Sequence, residues 1–85
     1  MAETITILLA EDHRLVREGL RALLHTEPDF KVIGETGDGL DTLRLAEELQ
    51  PDVVVTDLVM PGLTGLQVAR RLRQRLPKTK VVLLS

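Results

Sequence analysis

The 85-residue sequence has no cysteine, no tryptophan and no tyrosine, and Phe30 is its single aromatic residue. Without thiols there is no disulfide framework, no thiolate zinc site and no cysteine nucleophile. Without aromatics the core must be aliphatic, built mainly from leucine and valine. No apolar run approaches the roughly 20 residues that a membrane helix needs. The longest are Ile7 to Ala10, Val53 to Val55 and Val81 to Leu84. The N-terminus carries Glu3 and no basic segment, so no secretory signal is expected and a cytoplasmic location is the default. Eleven basic and thirteen acidic residues leave a formal charge of −2, which argues against a general polyanion binder. A hydrophobic share of 44 % with 28 % charged residues fits a globular chain rather than a disordered one. One domain spanning 1–85 is expected. A chain this short buries only about 60–65 % of its unfolded surface, so its stability has little margin.

What is present alternates between short β-branched runs and longer stretches with helical spacing. Thr4 to Ala10 reads as a strand, increasingly apolar toward its end, as a strand buried on both faces would be. From His13 to His25 the pairs Leu15/Val16, Gly19/Leu20 and Leu23/Leu24 recur every four positions, an amphipathic helix for which Asp12 is the expected N-cap. Phe30 to Thr36 is a second, less apolar strand suited to a sheet edge. After the turn Gly37-Asp38-Gly39, residues Leu40, Leu43, Ala46 and Leu49 mark one face of a second helix, which Pro51 ends. Val53 to Thr56 is a third, uniformly β-branched strand, expected at the centre, and Asp57 closes it. Met60-Pro61-Gly62 makes 58–63 an irregular loop. Thr64 can cap a third helix with Leu66, Ala69, Leu72 and Leu76 inward and Arg70, Arg71, Arg73 and Arg75 outward. Val81 to Leu84 is a fourth strand, followed by Ser85.

The order βαβαβαβ with short connections predicts an α/β fold. Its parallel sheet has right-handed crossovers and helices on both faces. In the flavodoxin-like strand order 2-1-3-4, the first and third strands flank the topological switch point, and ligands bind beyond their carboxyl ends. Glu11 and Asp12 lie just past the first strand and Asp57 at the end of the third. As neighbours they would bring three carboxylates into one crevice, flanked by Ser85. Like charges repel in a semi-enclosed site, and a hard cation relieves them. Magnesium takes one or two carboxylates, waters and phosphate oxygens.

These residues resemble the receiver domain of two-component response regulators. The resemblance rests on Glu11-Asp12-His13, Pro51-Asp52, Asp57-Leu58-Val59-Met60-Pro61-Gly62 with Gly65, and Ser85, and it runs over the whole chain. The stretches Arg17-Glu18-Gly19-Leu20-Arg21 and Leu83-Leu84-Ser85 are similar to the subfamily with a LuxR-type helix-turn-helix effector. The resemblance implies a CheY-like fold and a set of roles. Asp57 is the phosphoacceptor, taking its phosphoryl group from a sensor histidine kinase. Asp12, Asp57 and the Val59 backbone carbonyl bind Mg2+, and Glu11 binds or places it through water. Ser85 donates a hydrogen bond to the phosphoryl group. It further implies a signalling switch that acts on transcription, not a turnover enzyme, with DNA bound only through an effector domain outside this chain. The family domain has a fifth βα unit carrying a lysine and a switch aromatic, and by this comparison the chain is truncated before it. Glu11 stands where the family more often has Asp.

Other readings compete. Without a fifth unit the fourth strand is an exposed apolar edge, so a homodimer or domain swap through Val81 to Leu84 is an alternative, with poor phosphorylation. A magnesium-dependent phosphohydrolase would need a second aspartate where Val59 stands. His13 and His25 are expected near helix ends without a chemical role. The arginines of the third helix read as a solvated face, and Gly34, Gly37 and Gly39 do not form a dinucleotide fingerprint.

Overall fold

A computed structural model describes residues 3–84. Its elements follow the expected order: β1 (Ile5–Ala10), α1 (Arg14–Leu24), β2 (Phe30–Thr36), α2 (Gly39–Leu49), β3 (Val53–Asp57), α3 (Gly65–Arg75) and β4 (Lys80–Leu84). The four strands form one parallel sheet in the order β2-β1-β3-β4. This is the flavodoxin-like arrangement, with the most apolar strands, β1 and β3, at its centre.

The amino ends of the strands are fastened by Pro51-Asp52. The Asp52 carboxylate accepts from the Thr6 amide (2.9 Å) and hydroxyl (3.0 Å), while the Asp52 amide donates to Thr6 Oγ1 (2.9 Å). The Lys80 amide donates to the Asp52 carbonyl (2.9 Å), so one dipeptide ties β1, β3 and β4 together.

α2 and α3 cover one face of the sheet. The core there joins Leu8 and Val54 with Leu43, Ala46, Leu63, Val68 and Leu72. Both helices start from side-chain caps, which satisfy amide donors that a helix leaves unpaired in its first turn. Asp38 accepts from the Asp41 amide, and Thr64 and Gln67 form a reciprocal capping box. Their buried stripes differ from the expected ones. Leu40 and Leu66 are exposed, and Thr42, Gly65 and Val68 are buried instead. Thr42 can be buried because its hydroxyl donates to the Asp38 carbonyl (2.7 Å).

α1 lies on the other face, and it corrects two expectations. It is strongly amphipathic, yet none of its residues is buried, and Leu15 remains 81 % exposed. Its apolar side, with Leu20, Leu23 and Leu24, faces the sheet across a groove of about 390 Å³. Ile5, Ile7, Phe30, Val53, Val55, Val82 and Leu84 complete the lining. The N-cap of α1 is His13, not Asp12, and its side chain makes no capping bond. The Glu11 carboxylate accepts from the His13 amide (3.0 Å), which precedes the first turn of the helix.

Candidate functional site

The parallel register builds the site. Ala10 of β1 lies opposite Thr56 of β3, so the residues that follow, Glu11 and Asp12 on one side and Asp57 on the other, leave the sheet side by side. They do so at the carboxyl ends of its two central strands, where such sheets bind ligands. One carboxylate oxygen from each of Glu11, Asp12 and Asp57, with a ring nitrogen of His13, lies within 4.8 Å of the other three.

Each group is held differently. Glu11 is 3 % exposed. Its amide donates to the Thr36 carbonyl (2.9 Å), and its own carbonyl accepts from Arg17 Nη1 (2.8 Å). Its Oε1 accepts from the His13 amide and lies 2.7 Å from His13 Nδ1. Asp12 is exposed to solvent, with Oδ1 3.2 Å from the same ring nitrogen. Asp57 is half-buried, and its Oδ1 accepts from the Leu58 amide (2.8 Å). No Lys or Arg pairs with any of the three carboxylates among the described residues. Among those residues the basic partner is His13. Its hydrogen bond to Glu11 first, and the charge of Asp12 second, raise its pKa above the ordinary 6.5.

The loop after Asp57 is shaped by two glycines. Gly62 has φ +86°, a conformation that a side chain would strain. A Cβ on Gly65 would fall against the Asp57 carbonyl oxygen, so α3 can start this close to Asp57 only with glycine there. The Gly65 amide donates to the Leu58 carbonyl (2.9 Å), and Met60 is buried with its sulfur 4.0 Å from Thr56 Oγ1. The Gly39 amide holds the Pro61 carbonyl (2.9 Å), which fastens the loop to α2.

The sequence-derived residues Glu11, Asp12 and Asp57 thus come together. Val59 lies two residues past Asp57, with its side chain 74 % exposed. Ser85 lies outside the described residues, although Leu84 pairs with Asp57 in the register of β3 and β4. Sequence reasoning missed two members of the surroundings. His13 was expected to be inert and stands inside the carboxylate cluster. Arg17 reaches back from α1 to the Glu11 carbonyl and also pairs with Glu35 (3.6 Å). The clue to His13 was its position directly after the acid pair.

The donor set suits a hard divalent cation, because several carboxylate oxygens converge without a Lys or Arg side chain to neutralise them. A four-stranded parallel sheet with three carboxylates gathered at its switch point defines a doubly wound α/β domain.

The comparisons with known proteins agree. Residues 7–85 match the response regulator receiver domain family, and the chain belongs to that family. It is 44 % identical over 81 residues to the transcriptional regulatory protein LiaR of Bacillus subtilis, covering 95 % of this chain and 38 % of that protein. A signal receiver domain from Mycobacterium tuberculosis superposes with a TM-score of 0.91 at 37 % identity, over 95 % of this chain and 65 % of the other. A DNA-binding response regulator of the LuxR family from Staphylococcus aureus superposes with a TM-score of 0.87 at 35 % identity, over 93 % and 66 %. The chain spans less than two-fifths of the length of LiaR.

Proposed function

We propose that this chain is the phosphoacceptor module of a cytoplasmic transcriptional response regulator, with Asp57 as the acceptor. The observation that carries the reading is the meeting of Glu11, Asp12 and Asp57 within 4.8 Å at the ends of β1 and β3. In the proposed reaction an Asp57 carboxylate oxygen attacks the phosphorus of a phosphohistidine on a sensor histidine kinase. A new O–P bond forms and the P–N bond breaks. The imidazole leaves with its electron pair and takes a proton from solvent. Attack by water on the acyl phosphate returns Asp57 and inorganic phosphate, so the domain resets itself without being a turnover enzyme.

The chain's residues act mainly by position and charge, which contribute most of the catalysis in phosphoryl transfer. The Leu58 amide orients Asp57 through Oδ1, leaving its second oxygen for attack. Asp12, Asp57 and the Val59 carbonyl are the proposed direct ligands of Mg2+, with Glu11 acting through water. When bound, the cation neutralises the phosphoryl oxygens as charge develops. Ser85 is the proposed hydrogen-bond donor to the phosphoryl group. DNA binding belongs to an effector domain outside this chain.

Acetyl phosphate with Mg2+ tests the reading by intact mass. Wild type gains one phosphoryl group, and Asp57→Asn does not. Equal gain by both, or none by either, contradicts it.

A second reading, self-association through β4, has its own support. The outer edge of β4 has no strand beside it among the described residues. Val82 is 46 % and Leu83 38 % exposed there, and unpaired apolar edges template strand pairing. Sedimentation is expected to show a dimer that grows with concentration and weakens with Val82→Lys. A monomer at high concentration contradicts it.

A further inference from the structure

We infer that His13 is a ligand-providing residue that widens the metal choice of the acidic crevice, adding a nitrogen donor for zinc-like first-row dications. The inference rests on the cation-site reading above and goes beyond it. His13 Nδ1 lies 2.7 Å from Glu11 Oε1 and 3.2 Å from Asp12 Oδ1, and it shares the 4.8 Å cluster with Asp57. A cation with bonds of about 2.1 Å holds its donors about 3–4.2 Å apart. The observed spread therefore needs only small side-chain adjustments to close on one ion.

The imidazole is open to solvent and has no structural duty in the helix. Its side chain is 68 % exposed, and it makes no capping bond for α1. Nδ1 contacts the same carboxylates that a cation would contact. On metal binding the Nδ1 lone pair turns to the ion, and any proton there goes to water. Chemistry then separates the metals. Magnesium prefers oxygen donors and keeps its waters, so it gains little from imidazole. Zinc, nickel and cobalt gain much more from a nitrogen donor. One crevice would thus hold Mg2+ through carboxylates alone and Zn2+ through carboxylates plus His13.

The chain contains its own control, because its second histidine, His25, sits at the far end of α1. The experiment titrates the 15N-labelled chain with ZnCl2 and separately with MgCl2 at one fixed pH, reading imidazole nitrogen shifts and calorimetric affinity. Zn2+ is expected to move the His13 Nδ1 resonance and leave His25 in place, while Mg2+ moves neither as a direct ligand would. His13→Ala and His13→Asn are expected to lose about tenfold or more in Zn2+ affinity, with Mg2+ affinity changing by less than about twofold. Unchanged Zn2+ affinity in both variants overturns the inference. So does a parallel loss for both metals, which would make His13 a positioning residue for Glu11. In either case Mg2+ binding that still depends on Asp12 and Asp57 leaves the cation-site reading standing. Failure of the wild type to bind either metal contradicts both.

Discussion

The two faces of the sheet use the same kinds of residue and end in different states. On the α2/α3 side, two capped helices close over Leu8 and Val54, and Leu72 and Val68 are fully buried. On the α1 side, one uncapped helix stands over a broader apolar surface. Ile7 and Leu9 are covered, but Val82 is exposed, and Ile5, Val53, Val55 and Leu84 are half-buried. Amphipathic patterning states which side of a helix seeks cover. Cover itself depends on how many elements share the face. The site draws on both. Its loop from Asp57 to Gly65 is anchored to α2 and α3, and its histidine stands at the start of α1.

The contrast can be broken at its strongest point. Leu72→Ala removes a fully buried side chain and is expected to cost about 2–5 kcal/mol by urea unfolding. A cost below about 1 kcal/mol would mean that this face is as loosely covered as the other. Gly65→Ala comes next, because a Cβ there meets the Asp57 carbonyl rather than a flexible side chain. A loss of about 1–3 kcal/mol is expected, together with slower labelling of Asp57 by acetyl phosphate. Normal labelling at wild-type stability would separate the packed face from the site. Leu23→Ala, on the open side, is expected to stay within about 0.5 kcal/mol of wild type. A cost like that of Leu72→Ala would show that α1 is covered in solution.

The smallest effect concerns His13. Glu11 and Asp12 favour its charged form, so its folded pKa lies above the ordinary 6.5. The stabilisation this gives is fully present below the unfolded value and is lost as pH rises through the folded one. Imidazole shifts followed against pH should show the raised value in wild type and a lower one in Glu11→Gln. No change in that variant would mean that the 2.7 Å contact between His13 and Glu11 is absent in solution.

Much of this architecture was legible in the sequence. Val53 to Thr56 reads as a buried strand, and the parallel order of βαβ units then brings Glu11, Asp12 and Asp57 to one end of the sheet. Helix faces were less legible in their first turns. Leu40 and Leu66 match the period, but they lie where the chain enters the helix, and Thr42 and Val68 take the buried positions. The N-cap is His13 rather than Asp12, and Glu11 accepts the amide of that residue. The same turn carries the imidazole into the acidic cluster, and no periodicity encodes that. The open groove was legible only as an exposed fourth strand. Spacing does not reveal that α1 buries none of its side chains.

Whether Asp57 is the acceptor is read most directly from an amide NMR titration of the 15N-labelled chain with beryllofluoride and Mg2+. Shifts concentrated at Glu11 to His13 and from Asp57 to Gly65 are expected in wild type, and their loss in Asp57→Asn. Shifts that survive the substitution, or a wild-type spectrum that does not respond, would remove Asp57 from that role.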